Sequence, residues 1–194
     1  MKFIAPSWDE ILSKSIRLAE KIRKGEKNQF DCIVGISRGG LALTRIMSDL
    51  LDVQDVMITK CEYYTDIGEK SKKPVITQKI QGSIVGKKVL VVDDVADSGE
   101  SLIVIREYLL SKRPAEAKIA TIFIKPWCKL IPDYYTAKTD AWIIFPWEYY
   151  EAIKSLSATN GKDILAKTNI PPRYIEMLYK MDRSLRMRWK KTAG

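Results

Sequence analysis

Val89-Leu90-Val91-Val92-Asp93-Asp94-Val95-Ala96-Asp97-Ser98-Gly99-Glu100-Ser101 is the stretch that decides how this chain of 194 residues is read. Val89 to Val92 is an apolar run without alternation, too short and too β-branched for a whole helix, so it predicts a strand buried on both faces. Asp93, Asp94 and Asp97 then fall at the carboxyl end of that strand, where open parallel α/β sheets form their ligand crevice. Ser98-Gly99-Glu100-Ser101 leads into a helix predicted over 99–111. That turn offers backbone N–H groups, two hydroxyls and a glycine at a positive helix end, which suits a phosphate. A helix cap with a solvated loop would explain Asp97 or Ser98, but not two adjacent aspartates at a buried strand end. Phosphate on one side and diol-binding carboxylates on the other describe a ribose 5-phosphate site.

Outward from this stretch, strands are predicted over 31–37, 56–63, 75–80, 119–125 and 142–145, with a helix over 40–51. The alternation of strand and helix predicts an α/β fold with a doubly wound, mainly parallel sheet. Upstream, Ser7 reads as an N-cap with Glu10 three residues on, opening an amphipathic helix that ends at Gly25. After Trp147 no strand-like run occurs. Residues 149–156, 163–167 and 171–189 read as three helices, the last starting at a proline and repeating Ile175, Leu178, Met181, Leu185 and Trp189. Two parts are therefore expected: a core over residues 1–148 and a C-terminal helical appendage over 149–194.

Composition narrows the chemistry. The chain has no histidine, which removes Ser-His-Asp triads, Cys-His pairs and His-ligated metals. Cys32, Cys61 and Cys128 are odd in number and widely spaced, and read as structural thiols. A formal charge of +9 favours polyanionic partners, although a Lys/Glu-rich solvated surface gives the same number. No run approaches eighteen apolar residues, and Met1 to Pro6 lacks the features of a signal peptide, so a cytoplasmic location without membrane contact is expected.

The opening stretch resembles the 5-phosphoribosyl 1-pyrophosphate (PRPP) signature of type I phosphoribosyltransferases, archaeal purine enzymes among them. In that signature two acidic and two apolar residues precede Asp-Thr-Gly-x-Thr; here both threonines are serines, which keep the hydroxyls. The resemblance implies that Asp93 and Asp94 hold the ribose hydroxyls and Mg²⁺, partly through water. It puts Asp97 at the imidazole edge of the base as proton acceptor or donor, and Ser98, Gly99, Glu100 and Ser101 on the 5-phosphate.

Ser37-Arg38-Gly39-Gly40, at the end of the first sheet strand, is weak evidence alone, since Arg-Gly-Gly is often only a tight turn. In this order it matches the family's pyrophosphate loop, and a non-proline cis peptide is expected near Ser37-Arg38. Tyr63 and Tyr64, with residues 65–73 after them, match in position the family's flexible loop, which closes over PRPP; which tyrosine points inward is not legible. Lys125-Pro126-Trp127 and Trp142-Ile143-Ile144-Phe145-Pro146-Trp147 resemble the base-binding segments of 6-oxopurine enzymes. There the lysine meets the purine O6, Trp142 stacks on the ring, and backbone near Ile143 reads its other edge; core packing is the competing role for Trp127 and Trp147.

Ile144 stands where similar bacterial sequences carry a carboxylate near the purine 2-substituent, which weakens the case for guanine and xanthine. Lys125, a donor only, favours a 6-oxo base, whereas some similar archaeal enzymes use adenine. The implied reaction is purine plus PRPP to nucleoside monophosphate plus pyrophosphate, with Asp97 and Lys125 as catalytic residues, Mg²⁺ as cofactor and a homodimer as the family's expected state. Two alternatives remain: an adenine phosphoribosyltransferase, and a PRPP-sensing regulator that binds nucleic acid through Lys180, Arg183, Arg186, Arg188, Lys190 and Lys191. Nucleic acid is not the favoured partner, because basic helix ends are usually solvated and the base-binding segments are intact. PRPP synthetase-like chemistry, which shares the signature, fits less well because the chain is short and has no recognisable ATP loop.

Overall fold

The computed structural model describes residues 2–27, 29–64, 73–157, 168–182 and 185. The chain divides into two compact units, Leu12–Thr139, and Met1–Ile11 together with Asp140–Gly194.

The larger unit is built on a six-stranded sheet of β2 (Cys32–Ser37), β3 (Val56–Tyr64), β4 (Lys73–Gln78), β5 (Lys88–Ala96), β6 (Glu116–Ile124) and β7 (Tyr134–Lys138). Their order is β4-β3-β2-β5-β6-β7, parallel throughout except that β4 runs antiparallel to β3 at one edge. Leu90 and Val92 on one face of β5 and Val89 and Val91 on the other are at most 1% exposed, as the unalternating apolar run requires. Burying each such side chain contributes about 1.5–3 kcal/mol. Helix α2 (Gly40–Leu51) packs on β2 and β5, whereas α3 (Glu100–Leu110) packs on β3, β4 and β6. The sheet is therefore doubly wound, as expected.

The chain moves one way along the sheet from β2 to β3 and the other way from β5 to β6. The boundary between β2 and β5 is the topological switch point, and the carboxyl ends of these two strands border the crevice such a sheet offers. Two glycines bring the elements close. A Cβ on Gly35 would collide with the Thr44 hydroxyl of α2, and one on Gly40 would lie 2.6 Å from the Val92 carbonyl oxygen of β5.

In the smaller unit, β1 (Phe3–Ile4) pairs in parallel with β8 (Trp142–Ile143). Helix α1 (Trp8–Gly25), which starts in this unit and continues from Leu12 in the larger one, begins with the expected capping box: Ser7 N–H donates to Glu10 Oε2 at 2.7 Å, and Glu10 N–H to Ser7 Oγ at 3.2 Å. Short 3₁₀ helix Pro146–Glu148 leads into α4 (Tyr149–Ser157), and α5 spans Pro172–Met181. Ala5, Ile144, Tyr149, Ile153, Ile170 and Leu185 form the core here, with Tyr174, Ile175 and Leu178 of α5 against it.

Four expectations need correction. Trp142 to Phe145 is not a strand of the main sheet: only Trp142–Ile143 is extended, its partner is β1, and Ile144 N–H donates to Ile4 at 2.8 Å before Pro146 starts a helical turn. Strand β7 is additional. Strand β4 lies two residues earlier than predicted, with Pro74 on a sheet edge where its missing N–H costs little. The helix predicted over 171–189 is interrupted at Asp182, which takes extended angles (φ −120°, ψ 98°), and Leu185 is helical again. The predicted helix over 163–167, and residues 65–72 and 186–189, lie outside the described residues.

Candidate active site

The larger unit brings together the two loops that the sequence singled out on either side of the switch point. Ser37 ends β2, and its peptide bond to Arg38 is cis, as expected. Arg38 is exposed, while Gly39 and Gly40 press on the end of β5: a Cβ on Gly39 would lie 2.5 Å from Asp94 Oδ2, and one on Gly40 2.9 Å from Asp93 Cα. The Arg-Gly-Gly turn thus lies directly on the paired aspartates. Asp94 is 5% exposed, and its N–H donates to Asp93 Oδ1 at 3.0 Å.

Asp97 is exposed just past the strand. Gly99 follows at φ +81°, a conformation that excludes most side chains, and a Cβ there would lie 2.7 Å from the Leu130 nitrogen. Glu100 N–H donates to Ser98 Oγ at 3.3 Å as α3 begins, so Ser98, Gly99, Glu100 and Ser101 occupy the N-terminal turn of an eleven-residue helix. Glu100 carries a negative charge into this turn. Lys129 Nζ neutralises it at 2.7 Å from Oε1 and holds the Glu100 carboxyl below its ordinary range.

Of the two tyrosines, Tyr63 is the one that reaches this turn, its hydroxyl lying 3.2 Å from Ser98 Oγ and donating to Glu100 Oε2 at 3.5 Å. Tyr64 is 64% exposed.

Lys125 stands at the end of β6, its N–H donating to Ala96 at 2.9 Å, so it is stitched to the residue before Asp97. It is only 6% exposed. Its ammonium lies 5.6 Å from the Trp127 ring centroid, and the Trp127 indole N–H donates to Asp97 Oδ1 at 2.8 Å. Trp127 is 55% exposed, which excludes the core-packing role considered for it.

Trp142 and Ile143 belong to the smaller unit. There they line a cavity of about 460 Å³ with Phe3, Ile144, Glu148 and Leu156, and Trp142 is 54% exposed. Ile144 is buried in that unit's core. Trp147 stacks on Phe145 with centroids 4.8 Å apart.

Sequence reasoning missed the Trp127–Asp97 and Lys129–Glu100 contacts. Both arise because residues 125–130 fold back onto 96–99, and the only trace in the sequence is the run Lys125-Pro126-Trp127-Cys128-Lys129 after a buried strand. Burial pushes the Cys32 thiol up to about 11 and also raises Cys61 and Cys128. Among the described residues no group of three or more His, Cys, Asp or Glu forms a metal cluster, and no helix is long and apolar enough to cross a membrane.

The phosphoribosyl transferase domain model matches residues 7–154. The xanthine-guanine phosphoribosyltransferase of Cereibacter sphaeroides is 29% identical over 163 residues, covering 81% of this chain and 92% of that protein. The solved purine phosphoribosyltransferase of Pyrococcus horikoshii is 36% identical with a TM-score of 0.68, over 76% of this chain and 94% of that one. The xanthine-guanine-hypoxanthine enzyme of Helicobacter pylori is 26% identical with a TM-score of 0.66, over 79% and 99% respectively.

Proposed function

Because this chain belongs to the phosphoribosyltransferase family, we propose that it moves the 5-phosphoribosyl group of PRPP to a purine base, with a 6-oxopurine favoured over adenine. In this reaction the base N9 bonds to C1′ of the ribose as the bond from C1′ to the pyrophosphate oxygen breaks. The observation that carries the base preference is Lys125, buried at a strand end and joined through its N–H to Ala96, the residue before Asp97. It can only donate, so it suits the O6 of hypoxanthine or guanine and not the amino group of adenine. The named purine enzymes among the relatives support the same reading.

Each residue has a role that its position permits. Ser37, Arg38, Gly39 and Gly40 take the diphosphate, and Ser98, Gly99, Glu100 and Ser101 the 5-phosphate at the start of α3. Asp93 and Asp94 accept from the ribose hydroxyls, so both ends and the middle of PRPP are fixed for in-line displacement. Asp97 accepts the proton at N7 as positive charge develops on the purine. The family resemblance alone assigns Trp142, as the stacking aromatic, and Ile143 to the base.

The donor set suits Mg²⁺, which keeps water and substrate phosphate in its shell and needs only one or two carboxylates from the protein. Asp93 and Asp94 are adjacent, and Gly39 and Gly40 lie close against them. Bound there, Mg²⁺ would neutralise diphosphate charge. A homodimeric state, a cytoplasmic location and the division into a core over 1–148 and an appendage over 149–194 belong to the same proposal.

The test is nucleotide formation from PRPP and Mg²⁺ with adenine, hypoxanthine, guanine, xanthine and uracil in parallel. Hypoxanthine is the expected best substrate, since Ile144 cannot accept from a 2-amino group. Adenine alone as substrate would keep the reaction and overturn the role of Lys125. Tight PRPP binding without product from any base would favour a PRPP-sensing regulator instead.

A further inference from the structure

We propose that Trp127 is a positioning residue for Asp97 that couples the proton-accepting carboxylate to the base-recognising Lys125 through one indole ring. The inference rests on the phosphoribosyltransferase reading of the site. Its geometry stands independently of that reading.

The turn that carries Trp127 is held at several points. Lys125 N–H donates to Ala96, Cys128 N–H to Lys125 at 3.1 Å, and Lys129 N–H to Ser98 at 2.9 Å. Pro126 restricts the backbone just before the tryptophan. The side chain is therefore aimed by a rigid turn, although it is more than half exposed and gains little from burial. From there its Nε1–H reaches Asp97 Oδ1 at 2.8 Å, the length of a charge-assisted hydrogen bond. Indole has one donor and no acceptor, so Trp127 donates and Asp97 Oδ1 accepts. With Oδ1 held, rotation of the carboxylate is restricted and Oδ2 is the oxygen left to turn toward the N7 proton.

The ring face has a second role. The Lys125 ammonium lies 5.6 Å from the ring centroid, within the range of a cation–π contact. Lys125 and Asp97 carry opposite charges and address neighbouring atoms on one edge of the purine, O6 and N7. If they met directly, neither would serve the base. Trp127 meets each with a different part of its own surface, its N–H on Asp97 and its ring face toward Lys125.

Trp127→Phe removes the N–H and keeps an aromatic face for Lys125. A fall in kcat of about tenfold to a hundredfold is expected, because a hydrogen bond to a charged group is lost, with the KM for PRPP unchanged within about twofold. In an Asp97→Asn background the same change should cost no more than about twofold, since the carboxylate that Trp127 serves is already gone. An equal factor in both backgrounds, or a higher KM for the base at unchanged kcat, would overturn the positioning role in favour of a stacking one.

A second readout needs no turnover. The indole N–H resonance that disappears in Trp127→Phe identifies Trp127 in a ¹⁵N correlation spectrum, and it should move in Asp97→Ala. A resonance that stays in place would overturn the contact itself. Inactivity of the wild-type protein with every base, alongside a resonance that moves, would instead overturn the catalytic reading.

Discussion

Gly39 and Asp94 are in backbone-to-carboxylate contact: a Cβ on Gly39 would lie 2.5 Å from Asp94 Oδ2 and 2.9 Å from both Asp94 Cγ and Oδ1. The loop after β2 therefore has its shape because residue 39 has no side chain. Gly39→Ala should force this carboxylate or the loop to shift. PRPP binding, measured by calorimetry, is expected to weaken about tenfold or more, with thermal stability changed less than binding. Unchanged PRPP affinity would show that the two loops do not act on one ligand.

Asp97 lies beyond the paired aspartates, exposed just before the Ser98–Ser101 turn. Its assigned task is to accept a proton from the base and not to bind the ribose. Asp97→Asn should thus lower kcat by about a hundredfold or more while PRPP affinity stays within a few-fold. Losses of equal size in both would contradict that assignment.

Lys125→Gln replaces a donor-only group with one that can also accept. Hypoxanthine kcat/KM should drop about tenfold to a hundredfold, and the ratio of adenine to hypoxanthine use should rise. A parallel fall for both bases would mean that Lys125 does not read the 6-substituent.

Gly99→Ala is expected to act on folding. At φ +81°, with the Leu130 nitrogen 2.7 Å from any Cβ, alanine would be both strained and crowded. A destabilisation of about 2–3 kcal/mol is expected, lowering Tm by roughly 5–10 °C. A Tm within a degree of wild type would show that residues 128–130 do not pack on the Ser98–Ser101 turn.

The Glu26–Lys88 pair makes stability depend on pH. Burial raises the Glu26 carboxyl, but hydrogen bonds from Lys88 and Tyr134 and the charges of Lys88 and Lys118 outweigh it, and the net shift is downward from 4.5. A depressed carboxyl contributes stability that is present above its unfolded value and is lost as pH falls through its folded one. Lys88, raised from 10.5 chiefly by its hydrogen bond to Glu26, contributes stability that is full below that value and lost as pH rises through its folded one. Glu26→Gln should cost about 1–3 kcal/mol at pH 7, and urea midpoints should show the deficit shrinking as pH falls below about 4. A deficit that does not change with pH would rule out this source.

Much of this arrangement was legible in the residues before any coordinates. Val89 to Val92 could only be a doubly buried strand, and Ser7 with Glu10 could only reward a helix start. The elements that escaped notice lack a local signal. Tyr134 to Lys138 form an edge strand of half-buried, mixed residues, so no apolar alternation marks them. Phe3–Ile4 and Trp142–Ile143 are two residues each and pair although they are far apart in the sequence, and two residues carry no period. At the site, the acids and glycines were legible because they are consecutive. The Trp127–Asp97 hydrogen bond spans thirty positions and depends on the return of residues 125–130, which no spacing rule encodes.

The most direct test of the central claim is to incubate the wild-type protein with PRPP, Mg²⁺ and hypoxanthine and measure inosine monophosphate and pyrophosphate together. Equal amounts of the two products, formed at a rate that Asp97→Asn suppresses, are the expected result. Pyrophosphate without nucleotide, or neither product at saturating substrates, would contradict the account.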